Sequence, residues 1–113
     1  MAEVTPTPDA NDVANNKIFA ILAYFGILFL VPLLAAKESP FARFHANQGL
    51  VLFLVEIALQ IIIFILAAIV PVLALILNFL LLVPAIFAIL GIINAAKGEV
   101  KELPLIGGFT LIK

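Results

Sequence analysis

From Leu50 to Ala96 the chain runs forty-seven residues with one ionisable side chain, Glu56. An α-helix rises ~1.5 Å per residue, so an unbroken helix over that run would reach roughly 70 Å, against a bilayer hydrocarbon core of about 30 Å. The run therefore has to cross a bilayer twice. Spans are expected at residues 50–70 and 75–96, with a short turn between Pro71 and Asn78, the breaker-type residues nearest the middle. A second uncharged run, Ile18 to Ala36, is nineteen residues long and meets the length criterion for one more span at 18–36. Pro32 predicts a kink near Leu28, and Pro84 should bend the third span rather than end it. Each proline withholds a backbone donor and clashes with the carbonyl one turn earlier.

The expected fold class is thus all-α: an integral membrane bundle of three transmembrane helices. The polar stretch Lys37 to Gln48 should form a short interfacial segment between the first two, because Phe41 and Phe44 alternate there with Arg43 and His45 in a pattern suited to the headgroup layer. Composition agrees, since 65% of residues are hydrophobic and 12% charged, against about 25% charged in soluble domains. In 113 residues there is no room for a soluble domain beside the bundle. Residues 17–113 are expected to be one transmembrane domain. Residues 1–16, where Pro6 and Pro8 stand among Thr, Asp and Asn, read as a disordered tail. The first apolar run is preceded by Glu3, Asp9 and Asp12 and lacks a small-residue cleavage pattern near Ala35 and Ala36, so it reads as retained rather than as a signal peptide.

Three crossings would put the N-terminal tail on the side of the second turn, where Lys17 is the only cation. The other side would hold Lys37, Arg43, Lys97, Lys101 and Lys113. The positive-inside rule then places the N-terminus outside and the C-terminus in the cytoplasm, in a bacterial inner membrane or one derived from it. The net charge of −1 gives no reason to expect a nucleic-acid partner, and the absence of cysteine removes disulfides and thiolate chemistry together.

Glu56 is the sharpest candidate for function, because a charge inside a span costs on the order of 2.5–3.5 kcal/mol on insertion scales. Gln60 lies one turn further on the same face. If the second helix begins before His45, then His45, Gln48, Glu56 and Gln60 form a polar stripe running from the interface inward. A neutral interhelical hydrogen-bonded pair, a proton or ion relay, and a contact to a partner or substrate all remain open for it. One His and one distant Glu do not make a metal site. Gly91, Asn94 and Ala95 lie on a ridge of small residues suited to close helix packing, within the bundle or against a second copy. The only serine, Ser39, precedes a proline with no base marked to activate it, and there is no glycine-rich phosphate loop. No enzymatic activity and no cofactor are expected.

Phe44 to Leu50 reads Phe-His-Ala-Asn-Gln-Gly-Leu. This Phe-His-x-x-Gln-Gly-Leu heptad resembles the signature of a family of small bacterial multi-span membrane proteins. Ala23 to Leu28, Val31 to Leu33, Gly98 and Leu103 to Gly107 resemble the flanking blocks, and the likeness spans Lys17 to Lys113. Similar members include the magnetosome proteins MamF and MmsF, implicated in crystal growth, and more distantly the Tic-type translocon component of the chloroplast inner envelope. The resemblance implies a non-enzymatic scaffold or organising component in the lipid bilayer, associating with itself or with other membrane proteins. The alternatives are a subunit of an oligomeric transporter or channel, or an accessory to protein translocation.

Overall fold

The computed structural model describes residues 8–112, and every regular element among them is helical. Helix α1 covers Ala10–Leu22, with the Asp9 side chain accepting the Asp12 N–H at 3.1 Å as its N-cap. Its start falls inside the expected disordered tail, whose first seven residues lie outside the described ones. The backbone leaves the helix at Ala23 to Phe25 and passes through Gly26 at φ +59°, a left-handed conformation that glycine adopts without steric cost. A 3-10 turn, Gly26–Phe29, then leads into α2, Leu30–Ala35.

The expected span 18–36 is therefore divided between two elements. The Asp12 carboxylate near the start of α1 accepts the Ser39 hydroxyl and, at 3.0 Å, the Phe41 N–H. A chain that entered the bundle at Asp12 has returned to the same end by Ser39, so α1 and α2 form a hairpin. The break falls at Gly26, not at the kink expected near Leu28. Pro32, the third residue of α2, withdraws the donor that would have met the Leu28 carbonyl, and the 3-10 turn Gly26–Phe29 lies there.

Two helices are long and apolar enough to cross a membrane: α3, Pro40–Ile69, and the run Leu73–Ala96. α3 starts ten residues before the expected span at 50–70. Ser39 caps it by accepting the Ala42 N–H at 3.0 Å, and Pro40 opens its first turn. Lys37 to Gln48 is thus largely helix, with Phe41, Ala42 and residues 45–49 buried instead of lying along an interface. The turn after α3 is Val70 to Val72, around Pro71, and the return run comprises α4 (Leu73–Leu77), a 3-10 stretch (Asn78–Leu81) and α5 (Leu82–Ala96). That 3-10 stretch lies where Pro84 withdraws the donor from Leu80, so this proline distorts the helical run without ending it. Leu30-Val31-Pro32 and Leu82-Val83-Pro84 are the same tripeptide, each directly after a 3-10 stretch.

α5 ends through Gly98 at φ +74°, with the Gly98 N–H on the Ala95 carbonyl at 3.0 Å and the Glu99 N–H on that of Asn94 at 2.9 Å. Gly98 rests against Val13 of α1. The first turns of α1 and α3 and the end of α5 therefore meet at one polar end of the molecule. The opposite-sided termini expected from three crossings do not accord with these contacts.

The buried core lies in this half and contains Ala20, Ala23, Tyr24, Phe29, Phe41, Leu52, Ala95 and Leu103. The other half is α3 paired with the return run alone, and it exposes Phe64 (76%), Leu75 (78%) and Phe79 (71%). Contiguous exposure of large apolar side chains on helices of spanning length is what hydrocarbon stabilises and water does not.

Candidate functional site: a side-chain latch on α3

The heptad Phe44 to Leu50 lies in the first turns of α3, and its polar side chains point to other parts of the chain. His45 is fully buried, with Nδ1 2.6 Å from the Tyr24 hydroxyl and Nε2 2.7 Å from the Glu99 carbonyl oxygen. A carbonyl only accepts, so Nε2 carries a proton, and in the neutral ring Nδ1 accepts from Tyr24. Phe41, Phe44 and Tyr24 meet the imidazole edge-on, at centroid distances of 5.0, 5.2 and 5.6 Å. His45 thereby joins the tip of the hairpin to the end of α5 through one ring.

Asn47 and Gln48 hold the segment after α5. The Asn47 amide donates to the Phe109 carbonyl at 2.8 Å, and its oxygen accepts the N–H groups of Leu111 (2.6 Å) and Ile112 (3.0 Å). Gln48, fully buried, donates to the Gly107 carbonyl at 2.9 Å and accepts the Leu103 N–H at 2.8 Å. These bonds satisfy backbone groups in a segment without a helix or ladder of its own, which would otherwise be costly to bury. Residues 99–112 are in effect a strap laid over α3. Leu105 within it has φ +68° and is 93% exposed.

Gly49 completes the latch by its lack of a side chain. A Cβ there would collide with the Ala23 carbonyl, and one at Gly91 would collide with the Tyr24 ring. The hairpin tip is thus seated between two glycines on facing helices.

The expected polar stripe is divided. His45 and Gln48 are engaged with the chain's own atoms, as above. Glu56, half-buried, borders a cavity of about 100 Å3 with Tyr24, Gly26, Gly49 and Pro84. Gln60 is exposed and shares a shallow groove with Phe53, Glu56, Ile57 and Phe64 on the outer face of α3. Of the small-residue ridge, Gly91 meets Tyr24 and Ala95 is buried in the core, while Asn94 is half-buried. Sequence reasoning did not single out Asp12, Tyr24 or Asn47. Tyr24 is the only tyrosine, placed in an apolar run, and that isolation was the available signal. Among the described residues, no three His, Cys, Asp or Glu side chains are grouped so as to hold a metal ion.

The profile of the magnetosome magnetite crystal formation protein family matches residues 15–110, from within α1 through the strap. The chain belongs to the MamF/MmsF family. Magnetosome protein MmsF of Paramagnetospirillum magneticum (strain ATCC 700264 / AMB-1) is 33% identical over 94 residues, covering 82% of this chain and 83% of the relative. Magnetosome protein MamF of the same strain is 45% identical over 40 residues, 35% of this chain and 36% of the relative. MamF of Magnetospirillum gryphiswaldense (strain DSM 6361 / JCM 21280 / NBRC 15271 / MSR-1) is 40% identical over 48 residues, covering 42% and 43%. No solved structure matches the chain. The MamF/MmsF assignment accords with an all-helical protein carrying two helices of membrane-spanning length.

Proposed function

We propose that this MamF/MmsF-family chain is a non-enzymatic component of a lipid bilayer that organises other membrane proteins, in the magnetosome setting that its relatives' names give. The observation that carries this reading is the use made of the heptad. Its His, Asn and Gln side chains are engaged in joining hairpin, helices and strap, which leaves surfaces as the means of acting on other molecules. The groove holding Glu56 and Gln60 faces outward at a depth where hydrocarbon offers polar groups no partner, so a neighbouring helix that can hydrogen-bond there is favoured. The neighbour is a second copy or another membrane protein. With a photo-crosslinking residue at Gln60, the expected result in native membranes is adducts to protein; adducts to lipid alone would remove the reading.

The same reading takes the chain to cross the bilayer twice, with α1 and α2 as a hairpin that enters and returns. Lys17, Lys37, Arg43, Lys97 and Lys101 all lie outside the Leu50 to Ala96 run, and by the positive-inside rule the polar end faces the cytoplasm. The chain has no cysteine, so Ala10→Cys and Thr110→Cys each supply a unique label site. Both are expected to react with a membrane-impermeant maleimide only after the cytoplasmic face is opened. Labelling of Ala10→Cys alone in intact cells would restore three crossings.

A further inference from the structure

The two halves of the bundle differ in girth. At the polar end the α1–α2 hairpin, α3, the end of α5 and the strap pack side by side, whereas the far half is α3 and the return run alone. The hairpin is also shallow. Its tip residue Gly26 shares a cavity wall with Glu56, which stands six residues past Leu50 and so about 9 Å into the apolar run at ~1.5 Å per residue. One leaflet contributes about 15 Å of hydrocarbon, half of a core of about 30 Å, so the hairpin turns back within the leaflet it entered. We propose that the hairpin and the strap make this chain a wedge, favoured in membrane whose leaflet at the polar end is convex. This rests on the two-crossing topology of the preceding reading and on no protein partner.

Both parts of the wedge present apolar bulk to lipid in that leaflet. Ile18, Phe25, Ile27 and Leu34 are exposed along the hairpin, whose tip lies at hydrocarbon depth. The strap is bound by Asn47 and Gln48, seven and eight residues into α3 and therefore about 11 Å from its start, so it lies along the flank of the helix instead of over its end. Thr110 and Ile112 face α3 across a shared cavity, while the alternate residues Phe109 and Leu111 are exposed, as is Leu105. Outward from the flank of a spanning helix is sideways, into the layer where headgroups meet acyl chains. Apolar side chains enter that layer more readily where curvature spreads the headgroups apart, and the girth of the hairpin is accommodated there for the same reason. With the polar end toward the cytoplasm, the favoured membrane bulges toward the cytoplasm.

Tethers drawn from giant vesicles that carry the full chain test the wedge. Ala10 is exposed at the start of α1, and Ala10→Cys labelled from outside with an impermeant fluorescent maleimide reports molecules whose polar end faces the convex surface. Their density in the tether is expected to exceed that in the parent vesicle by about threefold, the ratio that ~0.65 kcal/mol represents. Molecules of opposite orientation, labelled with an NBD dye in detergent and left visible after dithionite has bleached the outer dye, should be depleted from the same tethers. Leu105→Ser, Phe109→Ser and Leu111→Ser together leave the main-chain bonds to Asn47 and Gln48 in place and should lower the outward ratio. Equal density in tether and vesicle, the same sign in both orientations, or a ratio unchanged by the triple substitution overturns the proposal. Maleimide labelling of Ala10→Cys and Thr110→Cys in cells tests the two crossings without any tether, so the topology and the wedge fail separately.

Discussion

Replacing Gly49 with alanine is expected to destabilise the protein by about 3 kcal/mol, at the upper end of overpacking costs. The added Cβ would meet the Ala23 carbonyl oxygen, a backbone atom that no side-chain rotation can move aside. The hairpin tip has to retreat, and in retreating it withdraws Tyr24 from both His45 and the Gly91 surface. Gly108→Ala is the matched control, since a Cβ there has nothing within 4 Å. It should stay within about 0.5 kcal/mol of the unaltered protein, as surface changes do. Reversible unfolding in mixed micelles of dodecylmaltoside and dodecylsulfate measures both. Equal stability of the two variants would show that the hairpin does not dock on α3 as described.

His45→Ala is the second large effect. The change opens a void where a fully buried ring stood and leaves the Tyr24 hydroxyl and the Glu99 carbonyl without their partner. Void and lost hydrogen bonds together should cost about 3–5 kcal/mol. Tyr24→Phe removes only the hydroxyl and should cost about 1–3 kcal/mol. Because the two side chains share one bond, the double variant is expected to fall short of the sum by at least ~0.5 kcal/mol. Strict additivity would mean that the Tyr24–His45 bond contributes nothing.

Sequence length and polarity identified Leu50 to Ala96 as two long apolar helices, because a run with one ionisable side chain in forty-seven residues is a local signal. They misjudged Ile18 to Ala36. Nineteen apolar residues satisfy a length test whether they form one rod or a hairpin, and the deciding feature is Gly26 in a left-handed conformation with the tip seated on Gly49 and Gly91. Those contacts join residues far apart in the chain. Two starts were legible and were passed over: Asp9 after Pro8, which caps α1, and Ser39-Pro40, a cap followed by proline in the first turn, which opens α3 ten residues before the expected span at 50–70. The heptad stood out in the sequence as a motif, but its role did not. Asn47 and Gln48 bind backbone atoms of residues 103–112, and a backbone acceptor leaves no mark in a sequence.

Because Asn47 and Gln48 grip main-chain groups, the grip makes no demand on which side chains the strap carries. Leu105, Phe109 and Leu111, exposed along it, can be exchanged for other residues without loosening the attachment. What this end displays can therefore change while the two anchoring amides hold the main chain in place, so one architecture can present unlike surfaces.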